Sequence, residues 1–392
     1  MVWIPEGIPH MARRPLLHHF ALLPDPRVDR TKKHRLDEIL LIALTATVGG
    51  ARSFEEIGAF GEAYEDWFRE SLHLTLANGV PSHDTIYRVL CSLDRKVFAE
   101  CFGRWAAEWS ETLGIKQIAI DGKSLRGSKS NTFSGCTHLV GAWATEAGLL
   151  LGQEAVADKS SEATAIPALL DALHLTGALV TIDAAGCSPA ICWKIRDHQG
   201  DYLLAIKDNQ PKLHEAVKQV FADACDTDFQ GVAYSQHETV EKGHGRHEER
   251  YVTVIENPNG LPDKWPDVTA VIQVNRERDG KGKNTSTTHY YLTSLKADPK
   301  AKPGDRARTL GHLVRRHWAI ENELHWCLDV TFGEDVNRTA DKNAAANFGT
   351  LRRTAITLLK QNTAKGSNKL KAFRASITPA YLLELLQGST VI

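Results

Sequence analysis

The fold assignment rests on KQIAIDG, residues 116–122. At Lys116 the pattern changes from helical periodicity to a short apolar strand that ends on Asp121. The same arrangement returns in VTIDA, residues 180–184, where an apolar, β-branched strand ends on Asp183. The sequence therefore predicts two strands that each deliver a carboxylate to the loop that follows.

Strands and helices alternate on both sides of these aspartates. The patterns predict strands at residues 117–120, 137–144, 149–157, 178–182 and 202–206, and helices at residues 162–173 and 188–198. In this β-β-β-α-β-α-β order the first and fourth strands are expected to be neighbours, with a parallel arrangement in the second half. Both carboxylates would then lie at one end of the sheet.

Two like charges at one end of a sheet are costly unless a cation lies between them. Mg²⁺ prefers carboxylate and water oxygens, so the pair Asp121 and Asp183 predicts a divalent metal site. The alternative interpretation is that each aspartate only caps the loop or helix that follows it.

A third acidic ligand is expected on the helix predicted at residues 306–328. On a continuous α-helix His317, Glu321 and His325 lie on one face, beside apolar residues that pack inward. Glu321 is therefore the candidate third ligand, and the alternative is a surface ion pair with a nearby arginine. Three other acidic side chains are rivals for this role: Glu323, Glu334 and Asp335.

The chain divides into five segments on these patterns. Residues 1–116 are helical, which suits either a helix-turn-helix-like DNA reader or a plain helical bundle. The first part of the α/β core covers residues 117–210, and a β-rich insertion covers residues 211–298. The core resumes at residues 299–365 with the glutamate helix, and residues 366–392 form a basic C-terminal tail.

The composition is that of a soluble globular protein, with 42% hydrophobic and 24% charged residues among 392. No apolar run is long enough for a membrane span, and the N-terminus lacks the apolar stretch of a signal peptide. Seven scattered cysteines form no CxxC pair, which favours a reducing cytoplasm. The net charge is −1, yet residues 301–392 hold 14 Lys+Arg against 8 Asp+Glu, an excess suited to phosphate contacts.

Four motifs mark the regions around the three candidate acids: DGKSLRG at residues 121–127, TIDA at 181–184, HWAIEN at 317–322 and HWCLDV at 325–330. Four more lie elsewhere in the chain: DPR at residues 25–27, PSHDT at 81–85, YLLAIKDNQ at 202–210 and GHGR at 243–246. Through these motifs nearly the whole chain resembles the insertion-sequence DDE transposases. The resemblance is to the ISAs-type subgroup, which includes the H-repeat-associated proteins of Rhs elements.

The resemblance implies an α/β fold with an RNase H-like mixed sheet core, a β-rich insertion and an N-terminal helical domain. It also implies a DNA transposase that cleaves insertion-sequence ends and transfers the strands by metal-dependent phosphoryl transfer. Asp121, Asp183 and Glu321 would be both the catalytic residues and the ligands of Mg²⁺ or Mn²⁺, with two ions in the site. The partners would be double-stranded DNA, as terminal inverted repeats and target DNA, and a second copy of the chain.

The chain departs from the related transposases around the glutamate. Where they place Tyr, Arg and Lys, it has Val314, His317 and Leu328. His317 is the candidate for the arginine role. These departures keep open an alternative function, a catalytically degenerate transposase-derived protein that still binds DNA.

Basic side chains near the predicted site are candidates for contacts with DNA phosphates. They are Lys123, Arg126, Lys207, Arg316 and His317. A DNA-bound role predicts a bacterial cytoplasmic protein at the nucleoid, with no membrane partner. Two further alternatives are a protein-interaction module without a DNA role and a zinc hydrolase built on His237, His244, His247 and Glu248, although no HExxH motif is present.

Overall fold

The computed structural model describes residues 15–113, 116–128, 136–156, 162–243, 246–280, 283–302, 304–388 and 391–392. The helices in these ranges are α1 Leu16–Ala21, α2 Leu36–Val48, α3 Phe54–Ala63, α4 Glu65–Ser71, α5 His83–Ser92, α6 Arg95–Leu113, α7 Glu162–Asp171, α8 Pro189–Asp197, α9 Pro211–Asp226, α10 Asp305–His317, α11 Trp326–Val330, α12 Lys342–Gln361, α13 Asn368–Ile377 and α14 Pro379–Gly388. The strands are β1 Gln117–Ser124, β2 His138–Ala144, β3 Leu149–Val156, β4 Leu179–Ile182, β5 Asp201–Ile206, β6 Tyr234–Gly243, β7 Arg246–Glu256, β8 Ala270–Gly280 and β9 Lys283–Thr293.

The described strands form one mixed sheet in the order β3-β2-β1-β4-β5-β9-β8-β7-β6. The first three strands pair antiparallel, while β1 pairs parallel with β4 and β4 pairs parallel with β5. The expected contact between the first and fourth strands is therefore confirmed. This half of the sheet is the RNase H-like mixed core, and helices between parallel strands are what such crossovers require.

The β-rich insertion continues this sheet. Strands β6 to β9 form an antiparallel meander, and β9 joins the core by pairing antiparallel with β5. One face of the meander presents Val252 and Val274 toward α10, and Gly311 of α10 lies against Val252. A Cβ at Gly311 would come within 2.9 Å of that valine, so the glycine permits the close approach of helix and sheet.

A buried glutamine fixes α10 to the first strand. The side-chain amide of Gln117 donates to the backbone oxygen of Leu313 at 2.9 Å and to Oγ1 of Thr181 at 3.3 Å. Thr181 also contacts Nδ1 of His317, the last residue of α10, at 3.0 Å. These contacts hold the C-terminal end of α10 above the ends of β1 and β4.

The predicted continuous α-helix at residues 306–328 is wrong in its middle. The α-helix ends at His317, a π-helix follows at Ile320–His325, and the α-helical pattern resumes at Trp326. A π-helical turn holds more residues than an α-helical turn, so the side chains after it face a different direction from the one that α-helical spacing predicts. Buried Ile320 and Leu324 anchor the turn in the core.

The N-terminal helices and the C-terminal helices share the core of the α/β region. One cluster of buried apolar side chains runs from Leu16 to Val391. At its centre is α12, where Nδ2 of Asn347 donates to the backbone oxygens of Leu90 and Leu93 at 2.9 and 3.0 Å. The C-terminal segment, expected as a basic tail, contains α13 and α14, whose apolar faces are buried. No helix in the described ranges has the length and apolar character that a membrane span requires.

Candidate active site

The parallel pairing of β1 and β4 brings Asp121 and Asp183 to the same end of that strand pair. The register pairs Ile120 with Ile182, so Asp121 and Asp183 each follow the last paired residue of a neighbouring strand. The predicted end of the first strand at Asp121 is wrong, because β1 continues to Ser124 through its pairing with β2. Asp183 does follow the end of β4, and it caps a short 3₁₀ turn by accepting a hydrogen bond from Ala185 N at 2.9 Å. Capping is therefore part of what Asp183 does, and it occupies Oδ1.

Asp121 lies in a strongly acidic environment. Burial, opposed by one hydrogen bond from Gly122 N and aided by the negative charges of Asp183, Glu321 and Glu162, raises the pKa of Asp121 to about 7. The hydrogen bond is 2.8 Å long and occupies Oδ1. The charges of Asp183 and Glu321 thus act on Asp121 through space, and the sequence pattern predicted this proximity for the two aspartates.

Two histidines near these carboxylates do not neutralise them. Nδ1 of His325 lies 3.6 Å from Oδ2 of Asp121, but burial lowers the pKa of His325 to about 3. Burial also lowers the pKa of His317 to about 4, although the charge of Asp183 opposes that shift. Both imidazoles are therefore neutral at neutral pH, so the acidic cluster lacks a cationic partner from either ring.

Glu321 lies in the π-helical turn and is exposed. It lines a cavity together with Trp318 and Asn322. It forms no ion pair with the described residues, in contrast to its three rivals. The alternative interpretation of Glu321 as half of a surface ion pair therefore has no support in the described part of the chain.

Cationic side chains hold all three rivals. Glu323 contacts Nη1 of Arg316 at 3.2 Å and Nζ of Lys360 at 2.6 Å. Glu334 is fully buried, and its Oε1 lies 2.7 Å from Nη1 of Arg353.

The third rival, Asp335, contacts Nζ of Lys123 at 3.2 Å and Nε of Arg126 at 3.5 Å. Lys123 is also 2.9 Å from Oδ2 of Asp329 and is buried. Of the acids considered for the third position, Glu321 is thus the one whose charge is left open to a ligand. Pairing with two aspartates also leaves Lys123 little freedom to reach a phosphate.

The remaining basic candidates differ in how exposed they are. Lys207 is exposed and lines a cavity of about 80 Å³ together with Asp183 and His317. Arg126 is exposed beside the Asp335 carboxylate, whereas Arg316 is half-buried, with one nitrogen on Glu323 and another on the backbone oxygen of Thr145. Lys207 and Arg126 are therefore the candidates placed to meet a ligand from solvent.

A buried histidine and glutamate beside Asp121 were not anticipated from the sequence. Nε2 of His138 lies 2.7 Å from Oε1 of Glu162, and Nδ1 of His138 lies 2.9 Å from Oγ of Ser124. Both side chains press against Gly122, where a Cβ would lie 2.2 Å from the imidazole and 2.4 Å from the carboxylate. Gly122, directly after the first aspartate, was the one sequence signal of a close approach.

The donor set of the site suits a hard divalent cation, because its members are carboxylates without a cationic partner. As the side chains stand, no three His, Cys, Asp or Glu residues in the described ranges are arranged to hold a metal ion. The zinc hydrolase alternative has no support among the described residues, because Glu248 is bound by Arg276 and Arg278. His244, another residue of that alternative, lies outside the described residues.

Comparison with known proteins identifies the family. A family model described as "Transposase DDE domain" matches residues 112–358, more than half of the chain, and one described as "DDE_Tnp_1-associated" matches residues 17–106. A solved structure, the piggyBac transposase synaptic complex with hairpin DNA, has a TM-score of 0.40 and 10% identity over 94% of this chain and 78% of that chain. That likeness is too weak to bear on fold or function.

Three relatives from Escherichia coli span different shares of the chain. YncI and YhhI, which carry the provisional names transposase and H repeat-associated transposase, are each 34% identical to it. The matches cover 96% and 97% of this chain and 95% and 99% of the relatives. YbfQ, named an inactive transposase, is 36% identical over 80 residues, which are 20% of this chain and 93% of YbfQ. The chain belongs to the H-repeat-associated family of DDE transposases.

Proposed function

We propose that the protein cleaves insertion-sequence ends and transfers the resulting strands to target DNA, using Asp121, Asp183 and Glu321 as its catalytic acids. The observation that carries the proposal is the uncompensated acidic cluster, in which the other carboxylates raise the pKa of Asp121 beyond the effect of burial. A buried group of like charges is costly in a stable fold, and such clusters are typical of metal and catalytic sites.

The three carboxylates would hold Mg²⁺ or Mn²⁺, as two ions. When bound, these ions would activate the attacking water or 3′-hydroxyl and stabilise the leaving oxygen at phosphorus. The chain itself contributes positioning, since the β1–β4 register fixes Asp121 beside Asp183 and the π-helical turn presents Glu321. Lys207, which is exposed in the small cavity with Asp183, would bind a phosphate oxygen.

The partners that we propose are the terminal inverted repeats of the element, target DNA and a second copy of the chain. Two element ends must be cut and joined, which is the reason for proposing a homodimer in the active complex. The place of action would be the bacterial cytoplasm at the nucleoid.

The test of this proposal is Mg²⁺-dependent cleavage of duplex DNA taken from the flanks of the reading frame. Asp183→Ala is expected to reduce cleavage below detection, while loss of the cap on Ala185 N should lower the free energy of unfolding by only about 1 kcal/mol. Asp29→Ala, which alters an aspartate that is 98% exposed, serves as the matched control and should cleave like the wild type. Cleavage by Asp183→Ala at the wild-type rate would overturn the assignment.

A second candidate function is DNA binding without catalysis. It is favoured by the lack of a preset group of three metal ligands in the described ranges. Titration of the wild type with Mn²⁺ in a calorimeter separates the two functions. The enzyme is expected to bind the ion with a strength that Asp121→Asn reduces, whereas a degenerate protein should show no such binding and no cleavage.

A further inference from the structure

A cavity of about 510 Å³ lies between the outer strands of the sheet and α10. It is called the arginine groove here, because basic side chains from both walls line it: His237, Arg250, Arg276, Arg278, Arg308 and Arg315. Trp318 and Glu321 lie at its end. The groove has the volume of a pocket for a small organic molecule, enough for a nucleotide and far too small for a duplex.

Three guanidinium groups converge on one carboxylate in this groove. Glu248 contacts Nε of Arg276 and Nε of Arg278, each at 2.6 Å, and also contacts Nη2 of Arg250. The pairing of β7 with β8 places Arg250 directly opposite Arg276. Like charges at directly opposed positions of a sheet are destabilising, so one glutamate offsets only part of the repulsion.

A second carboxylate does not restore neutrality. Glu241 contacts Nη1 of Arg250 at 3.1 Å and is also held by Arg315 of α10. Four arginines therefore share two glutamates, Glu241 and Glu248, and one positive charge is left in excess even when Glu321, which also lines the groove, is counted. An anion bound in the groove would remove this excess.

Arg278 keeps hydrogen-bond donors available for such an anion, whereas Arg315 contacts Glu241 through Nη1 and Nη2 and offers the second N–H of each nitrogen. Arg278 uses Nε to contact Glu248, and its terminal nitrogens form no hydrogen bond with the described residues. The side chains of Arg278 and Arg315 are 40% and 46% exposed. A guanidinium group can bind two phosphate oxygens at once, which makes a phosphodiester the fitting anion.

An exposed tryptophan connects the groove to the acidic cluster. The Trp318 side chain is 44% exposed and lines both the arginine groove and the smaller cavity that contains Asp183. Three further residues line both cavities: His289, Tyr291 and Val314. A path thus leads from the arginines past an aromatic face to Asp183 and Glu321. Basic grooves with exposed aromatic rings are typical of proteins that bind single-stranded nucleic acid, because every base can stack on a ring.

We propose that the arginine groove binds a single DNA strand next to the site of cleavage, with phosphates on Arg278 and Arg315 and a base stacked on Trp318. This inference rests on the proposed function, because it names the form in which that same site takes its DNA. It requires the strand beside the cleaved bond to leave the duplex, since the groove has no room for two strands.

The test measures binding of a fluorescein-labelled single strand of about 16 nucleotides by anisotropy. EDTA is present, so cleavage plays no part. The double variant Arg278→Gln/Arg315→Gln is expected to bind less tightly and to reduce the slope of log affinity against log salt by about 1.4, at about 0.7 for each phosphate that the variant no longer neutralises. Arg374→Gln, exposed on α13 away from the groove, is the control for charge and should leave the slope unchanged.

Two substitutions of Trp318 test the stacking contact. Trp318→Ala is expected to weaken binding of the single strand about tenfold, whereas Trp318→Phe should retain most of it because a ring remains. Trp193→Ala, which removes a tryptophan that is 54% exposed on α8, should bind like the wild type. Equal reductions in affinity for Trp318→Ala and Trp193→Ala would overturn the stacking assignment.

The outcomes separate this inference from the proposed function. If the groove variants fail to bind the strand but the wild type never cleaves DNA with Mg²⁺, the assignment of the groove as a single-strand site is kept and the proposed catalysis is wrong. If the wild type cleaves but the groove variants bind the strand like the wild type, the groove assignment is wrong. A wild type that binds only duplex, or a variant whose affinities for single strand and duplex fall equally, also overturns it.

Discussion

Ile120 of β1 lies directly opposite Ile182 of β4 in a parallel register, and an aspartate follows each of them. In a parallel pair both chains run in the same direction, so Asp121 and Asp183 follow side by side where the β1–β4 pairing ends. Burial and the neighbouring carboxylates together raise the pKa of Asp121 to about 7. The like charges of the acidic cluster therefore destabilise the folded protein when Asp121 is ionised.

Stability should depend on pH through Asp121. Its pKa is about 7 in the folded protein against an ordinary value of 3.8, so its ionisation destabilises the fold. The penalty is absent below about pH 4, grows between pH 4 and 7, and is complete above pH 7. In EDTA, Asp121→Asn should raise the free energy of unfolding by up to about 4 kcal/mol at pH 8, at about 1.36 kcal/mol per pKa unit, and hardly at pH 4.

Urea unfolding at the two pH values measures this effect. Asp29→Asn, at a fully hydrated position, is the control and should show no pH-dependent gain. A gain of equal size at both pH values would contradict the charge argument.

Gly122 should not tolerate a side chain. In Gly122→Ala the new Cβ would meet the imidazole of His138 and the carboxylate of Glu162, which are both buried. Relief requires those side chains to move, so we expect a loss of about 1–3 kcal/mol in the free energy of unfolding. Gly388→Ala, where nothing lies within 4 Å of the added atom, is the matched control. If urea unfolding shows that Gly122→Ala leaves the free energy of unfolding unchanged, the His138–Glu162 pair is loosely held.

Substitution of Glu334 should lower stability, whereas substitution of Glu321 should abolish cleavage. Glu334→Gln leaves Arg353 buried without its charge partner, so the free energy of unfolding should fall by about 3–5 kcal/mol. Glu321→Gln alters an exposed side chain and should change stability by less than about 0.5 kcal/mol while abolishing Mg²⁺-dependent cleavage. Thermal unfolding and the cleavage assay together measure both. The reverse pattern would make Glu334 the catalytic acid.

The π-helical turn should be required for cleavage but not for folding. Deleting Asn322 removes one residue from the turn and allows an α-helical path, which alters how Glu321 is presented relative to the residues after it. We expect the variant to fold, with little change in its circular dichroism spectrum, and to lose cleavage. Asn322→Ala keeps the length of the turn and should cleave. An active deletion variant would show that α-helical geometry suffices.

Much of the core could be predicted because its signals are local. The apolar runs before Asp121 and Asp183, and their order relative to the helices, are written in consecutive residues and lead to adjacent parallel strands. The identity of Glu321 as the candidate third acid came from the same kind of local pattern and from family motifs.

The features that the sequence did not predict depend mostly on contacts between residues distant along the chain. The pairing of Glu323 with Lys360, of Glu334 with Arg353 and of Asp335 with Lys123, and the His138–Glu162 contact, all join positions that local periodicity cannot relate. The π-helical turn departs from the α-helical spacing that the local pattern predicted. The arginine groove is of the same kind, since its walls come from four strands and a helix that meet only after folding. Sequence patterns report the preferences of neighbouring residues, whereas burial and Coulomb interactions depend on distances in space.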